Sequence, residues 1–222
     1  MRDRWLKAQE YELKFWKKHA PHLPDQGGPL PRDLDYVLDA GLDGKRVLEV
    51  GCGPMGAVFF SPGALRVGVD PLAAKYVAQL NFSTRAVALV TGMGEHLPLA
   101  DDVFDVVICQ NVLDHVEEPA LTLAEIHRVL QPHGLVLMAL HIIPRWLVPL
   151  RKILDVIDTG HPFHMTESEV YRLFQASNLE PHGGHTTSPR LGWRSWKAAL
   201  ANLTMRDLRA TCRPVPRGMR SV

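Results

Sequence analysis

The sequence predicts a doubly wound α/β fold, a mostly parallel sheet with helices on both faces. Three observations predict it. Short apolar runs of strand length alternate with helical patterns over about 150 of the 222 residues. One of these runs, Val103–Cys109 (VFDVVIC), is almost wholly apolar, as a strand buried on both faces should be. A glycine-rich turn, Gly51-x-Gly53-x-x-Gly56, follows the first run directly.

The elements follow in order. Trp5, Leu6, Leu13 and Trp16 fall near helical spacing and predict a separate N-terminal helix. The Pro/Gly-rich segment Ala20–Pro31 (APHLPDQGGPLP) reads as a linker, so residues 1–30 form a helix and linker ahead of the main domain. Leu34, Val37 and Leu38 make a short helix closed by Gly41. Arg46–Val50 (RVLEV) is the first strand, and the glycine turn leads into a short helix. Leu65–Val69 is the second strand, Ala73–Leu80 a helix, and Arg85–Val90 the third strand. Val103–Cys109 is the fourth, Pro119–Leu130 an amphipathic helix, and Gly134–His141 the fifth strand. Ile142–Ile157 is apolar with Arg145, Arg151 and Lys152, and either covers a pocket or packs as a helix that completes the fold. Thr166–Ser177 opens on Thr166 with Glu169 three positions on, the capping-box pattern, and carries an apolar face of Val170, Leu173 and Phe174.

The formal net charge of +1 conceals segregation. Residues 1–20 carry six Lys/Arg against three acids, residues 21–185 eleven against twenty, and residues 186–222 eight against one. An acidic body therefore lies between two basic ends. Hydrophobic residues make up 46%, which excludes global disorder. No apolar run approaches the roughly 18 residues of a membrane span, and the charged N-terminus does not read as a secretory leader. Cys52, Cys109 and Cys212 are widely spaced and give neither a disulfide framework nor a metal pair. A reduced, cytoplasmic protein is expected.

Doubly wound sheets bind ligands beyond the carboxyl ends of their strands, near the point where strand order reverses. Gly51, Gly53 and Gly56 permit a tight turn and close approach of backbone to ligand. The plainer reading is a helix-start turn with incidental glycines. Asp70, about 20 residues beyond the first glycine, stands where an acid can bond the ribose hydroxyls of any adenosine ligand. Glu49 lies two residues before Gly51. A dinucleotide would set its pyrophosphate on the following helix N-terminus, and a carboxylate so close would repel it. A sulfonium ligand bearing an ammonium group would tolerate or use that carboxylate.

Further along come Gly92-Met93-Gly94-Glu95-His96-Leu97-Pro98 and Asp101-Asp102-Val103-Phe104-Asp105, then Asn111-Val112-Leu113-Asp114-His115-Val116 and Arg128-Val129-Leu130-Gln131-Pro132-His133-Gly134. With VLEVGCGPMG and VGVDP before them, these stretches resemble the class I S-adenosylmethionine-dependent methyltransferases, in the broad small-molecule group that includes ubiquinone- and menaquinone-type enzymes. The similarity covers about residues 45–141. It implies a Rossmann-like, seven-stranded sheet and S-adenosylmethionine as cofactor. It implies that Glu49, Gly51, Cys52 and Gly53 line the methionine end. Asp70, Pro71 and Leu72 would hold the ribose and adenine edge, Gly94 and Glu95 would lie near the adenine, and Gln110 and Asn111 near the methionine. The chain departs from the pattern at Met93, where an acid often meets the adenine, and at Pro132-His133-Gly134, where a Pro-Gly-Gly turn is common. The fold's closing antiparallel pair would place a strand near residues 193–200, although Trp193, Trp196, Leu200 and Leu203 equally suit a helix.

Methyl transfer needs positioning and, for some acceptors, a base. His115 after the fourth strand, His141 at the end of the fifth, and His164 in the loop before the capped helix are the candidate bases. His141 and His164 suit a structural histidine as well, and His115 suits one better, as a helix-start residue bonded to backbone. Asp114 could orient a histidine. Asp158, His161 and His164 do not have diagnostic ligand spacing, so no metal is expected. Cys52, with a helix start behind it, could have a lowered pKa, yet reads as a small loop residue. Residues 31–205 are assigned to the methyltransferase domain. Arg206, Arg209, Arg213, Arg217 and Arg220 are assigned to a basic tail, residues 206–222. That tail would fold onto the acidic body or a second subunit in a homodimer, be disordered, or contact nucleic acid or an anionic membrane, the last two not favoured. The expected function is methylation of a small molecule, glycan or lipid-like acceptor, with O-methylation favoured. RNA or protein methylation and a non-catalytic S-adenosylmethionine-binding subunit are the alternatives.

Overall fold

The computed structural model describes residues 2–19, 35–80, 86–157, 163–187 and 205–215. An N-terminal helix α1 (Arg2–His19) and a single turn α2 (Asp35–Leu38) precede strand β1 (Arg46–Val50). There follow β2 (Leu65–Asp70), α3 (Ala73–Gln79), β3 (Ala88–Thr91), β4 (Phe104–Gln110), α4 (Pro119–Val129) and β5 (Leu130–Ile142). Then come α5 (Arg151–Ile157), α6 (Glu167–Ala176), β6 (Leu179–Thr187) and β7 (Arg206–Pro214). The sheet has seven strands in the order β3-β2-β1-β4-β5-β7-β6. β1 to β5 pair in parallel and β7 runs antiparallel between β5 and β6.

Strand alternation builds a core on each side. In β4, Val107 and Cys109 join Leu48, Val50, Met138, the α4 residues Leu123 and Ile126, and Phe174 of α6. Their neighbours Val106 and Ile108 turn to the opposite face and meet Val37, Leu42, Val47, Ala57 and Leu137. A parallel strand reads as a continuous apolar run because it must satisfy both cores. Helix α6 starts with the predicted capping box: the Thr166 N–H donates to the Glu169 carboxylate at 2.8 Å. Arg151 adds two contacts to the same carboxylate, at 3.0 and 2.7 Å, and clamps α5 to α6. With so many donors, Glu169 stays ionised and its pKa falls to about 2.

Four expectations need correction. First, residues 206–214 are not a tail. They are β7, an interior strand whose Leu208, Ala210 and Cys212 are buried in the main core. The alternation Leu208-x-Ala210-x-Cys212 is a two-residue period, and Arg206, Arg209 and Arg213 around it conceal it. Arg209 lies over the Tyr36 ring, 5.0 Å from its centroid. Second, the glycine turn leads only into a one-turn 3-10 helix, Ala57–Phe59. Third, β5 starts at Leu130, four residues before the predicted Gly134, and α4 ends one residue before the predicted Leu130. Fourth, the third strand is Ala88–Thr91, shorter than predicted and shifted toward the loop. The predicted element at 193–200 lies outside the described residues, as do His161, Asp158, Arg217 and Arg220. Among the described residues, no helix is long and apolar enough to cross a membrane.

Candidate active site

Strand order reverses between β1 and β4, because β2 and β3 lie on one side of β1 and β4 and β5 on the other. A cavity of about 480 Å³ opens beyond their carboxyl ends. Its floor is the glycine turn. Gly51 (φ 68°) and Gly53 (φ 50°) adopt the left-handed backbone that glycine tolerates at little cost. A Cβ on Gly51 would also run into the Val112 side chain. The loop is tied back to β2 by the Gly51 N–H, which donates to the Val69 carbonyl at 2.7 Å.

Two buried carboxylates stand at the strand ends. Asp70 accepts the Gly53 N–H at 2.9 Å and the Leu72 N–H at 2.8 Å. Burial outweighs those bonds and pushes its pKa up to about 6. Glu49, 2% exposed, accepts the Val58 N–H at 2.8 Å, and burial pushes its pKa up to about 8. This contact decides between ligand classes. A pyrophosphate needs backbone N–H donors at a helix start. Here no α-helix starts behind the loop, and Glu49 already occupies one of the donors on the 3-10 turn. The donor set suits a cationic ligand instead. Burial, reinforced by Asp70 and Glu49, raises the Cys52 thiol pKa, so the lowering envisaged for a helix start is absent.

Eleven of the fourteen residues proposed from sequence for cofactor or catalysis line this cavity besides the loop's Cys52. They are Glu49, Gly51, Gly53, Asp70, Pro71, Gly94, Glu95, Gln110, Asn111, His115 and His141. Glu95 is chiefly a latch, since its Oε1 accepts the N–H groups of Glu117 and Glu118 at 2.7 and 3.3 Å. Asn111 sits in the left-handed region (φ 52°), with its N–H on the Ala139 carbonyl at 2.7 Å. Leu72 is not on the cavity wall. It packs under α1 with Tyr76, Leu80, Leu13 and Trp16. His164 also lies elsewhere, in a separate cavity with Pro119, Phe163, Met165 and Arg151. It is buried there because the Phe163 N–H is tied to Asp114 and the Ile143 N–H to Met165. His115 Nε2 is 3.8 Å from Asp114 Oδ2, and Asp114 is 1% exposed. Among the described residues, no group of three His, Cys, Asp or Glu could hold a metal ion.

The sequence reading missed two contributions. Helix α1 closes one side of the cavity with Trp5, Gln9, Tyr11, Glu12, Phe15 and Trp16. The Trp16 indole N–H donates to Glu12 at 2.7 Å, and the ring lies 3.8 Å from where a Gly53 Cβ would be. The aromatic spacing of this helix was visible, but nothing local linked it to a loop 35 residues away. The second is Asp207. Its Oδ1 lies 2.7 Å from His141 Nδ1, because β7 sets Asp207 directly opposite His141.

Comparison with known proteins agrees with this geometry. Residues 48–138 match the "Methyltransferase domain" family. The ubiquinone biosynthesis O-methyltransferase of Vibrio vulnificus (strain YJ016) is 28% identical over 194 residues, 80% of this chain and 82% of that protein. An S-adenosylmethionine-dependent methyltransferase from Mesorhizobium loti shares the fold with a TM-score of 0.64 at 18% identity, covering 84% of this chain and 98% of that one. Geranyl diphosphate C-methyltransferase from Streptomyces coelicolor A3(2), solved with S-adenosyl-L-homocysteine, superposes with a TM-score of 0.62 at 13% identity, covering 82% and 77%. The matched segment runs from β1 into β5 and holds the glycine turn, Asp70 and the reversal in strand order. The methyltransferase-domain match and these relatives together support a class I S-adenosylmethionine-dependent methyltransferase.

Proposed function

We propose that this enzyme methylates a hydroxyl group of a small-molecule acceptor, with His141 as the general base. The single observation that carries this reading is that His141 and the glycine turn line one cavity. S-adenosylmethionine, when bound, supplies an activated methyl group on a sulfonium centre. Gly51, Gly53, Gln110 and Asn111 would receive its methionine end, with Glu49 beneath the loop. Asp70 and Pro71 would receive the ribose, and Gly94 with Met93 the adenine. His141 would take the hydroxyl proton as the oxygen gains the methyl group, and His115 would flank the acceptor from the β4 side. The relatives named as O-methyltransferases support the hydroxyl as acceptor. Arg206, Arg209 and Arg213, which the sequence assigns to a basic tail, belong to the sheet, which favours a small acceptor.

The test uses S-adenosylmethionine with a labelled methyl group and two probe acceptors, catechol and 3,4-dihydroxybenzoate. The expected result is a labelled methyl ether, with His141→Gln lowering kcat by about 10²- to 10⁴-fold, the usual worth of a positioned base. Folded protein that binds S-adenosylhomocysteine but methylates only amines or thiols in a broader acceptor panel would overturn the reading.

A further inference from the structure

β5 and β7 are antiparallel neighbours, and their register pairs His141 with Asp207, Ala139 with Arg209 and Ile142 with Arg206. Directly opposed residues in such a ladder point to the same side of the sheet. The result is a carboxylate oxygen 2.7 Å from the Nδ1 of a cavity-lining histidine. We propose that Asp207 is a positioning residue for methyl transfer: it holds His141 in the form protonated on Nδ1, so that Nε2 is the basic nitrogen offered to the acceptor. This inference rests on the reading of His141 as base.

The chemistry follows from the donor inventory. A neutral imidazole carries its proton on one nitrogen only, and an ionised carboxylate can only accept. The two atoms are within reach but not aligned as a hydrogen bond in this structure; a small turn of either side chain in the loaded site would align them, and the nitrogen beside the carboxylate would then keep the proton. During transfer the O–H bond breaks, its proton goes to Nε2, and the oxygen gains the methyl group. The sulfonium becomes a neutral thioether as the imidazole becomes a cation. The positive charge thus moves onto a ring that already has an anion beside it.

Charged and titratable groups surround Asp207. Arg206 and Arg209 flank it on β7, and β6 places Thr187 opposite it and His185 opposite Arg209. Across the cavity stands His115, with Asp114 behind it. The side chains of His141 and Asp207 are 37% and 30% exposed, so water moderates the attraction. The expected kinetic effect is correspondingly modest.

The test compares Asp207→Asn and Asp207→Glu in the full chain saturated with S-adenosylhomocysteine. Imidazole ¹⁵N NMR should show the Nδ1–H pattern of His141 in the parent and in Asp207→Glu. In Asp207→Asn it should show a mixed or inverted tautomer. With 3,4-dihydroxybenzoate as probe acceptor, Asp207→Asn should lower kcat about tenfold and leave KM nearly unchanged. Asp207→Glu should recover part of the rate. An unchanged ring spectrum in Asp207→Asn overturns the proposal. So does a loss of rate matched by loss of S-adenosylhomocysteine affinity and not relieved by Asp207→Glu, because that marks a purely structural role. Full activity in His141→Gln, with the ring spectrum of Asp207→Asn still altered, overturns the base assignment; the NMR result separates that failure from failure of the pairing.

Discussion

The Asp70 carboxylate accepts the Gly53 N–H at 2.9 Å and so fastens the end of β2 to the glycine turn after β1. A residue proposed to meet a ribose is thus also a strut of the loop proposed to meet the other end of the ligand. Asp70→Ala should act on both. It should lower stability by about 1–3 kcal/mol, because the buried Gly53 and Leu72 donors lose their acceptor. It should also weaken S-adenosylhomocysteine binding at least tenfold by titration calorimetry. Unchanged affinity in a destabilised variant would leave Asp70 only the structural half of this role.

Proton linkage gives a second expectation. Glu49 and Asp70 have pKa values raised to about 8 and about 6, from ordinary values of 4.5 and 3.8. The folded, ligand-free chain therefore holds protons that the unfolded chain releases over this range. Its stability should fall as pH rises from about 5 to about 8. A cationic ligand favours the ionised carboxylates, so S-adenosylmethionine affinity should rise with pH over the same window, with net proton release at pH 7. Calorimetry in buffers of different ionisation enthalpy measures that release, and Glu49→Gln should reduce it. Zero release in the parent protein would contradict the assignment of Glu49.

Gly51 joins two constraints, a positive φ and the Val112 side chain where a Cβ would stand. Gly51→Ala should cost about 1 kcal/mol from backbone strain alone, and more from the clash. Adding Val112→Ala should recover the steric part and leave the strain. A thermal melt of both variants separates the two: a full recovery would show that φ contributes nothing.

Trp16 ties α1 to the body through Leu72, Tyr76 and Leu80, and its indole also stands on the cavity wall. Trp16→Ala should weaken S-adenosylhomocysteine binding at least tenfold while the main melting transition shifts little, since the two sheet cores do not include α1. Trp16→Phe should keep part of the affinity. Equal affinity in all three proteins would mean that α1 takes no part in enclosing the ligand.

The parallel half of the fold was legible because its signals are local. Val103–Cys109 announced a strand buried on both faces, and Gly51, Gly53 and Asp70 occupied fixed positions relative to strand ends. Thr166 and Glu169 announced a helix start three residues apart, and the structure keeps it. The antiparallel half was illegible for a matching reason. In Arg206–Pro214 four of nine side chains are charged, so the apolar alternation of Leu208, Ala210 and Cys212 read as a basic tail. Whether Asp207 meets His141 depends on a register between segments 66 residues apart, and no spacing within either segment encodes it. The role of Glu49 was half legible. Its position hinted at a ligand without phosphate, but the N–H it occupies became visible only with the loop folded.

β7 enters the sheet between β5 and β6, and among the described residues β6 has no other neighbour. This has a consequence for the order of events during synthesis. Ribosomes add about 5–20 residues per second and segments begin to organise as they emerge. The five parallel strands and the glycine turn can be in place once residue 142 is free. β6 must then wait for β7, and His141 for Asp207. A nascent chain halted between Thr187 and Arg206 would thus have its glycine turn and parallel strands in place before Asp207 has met His141.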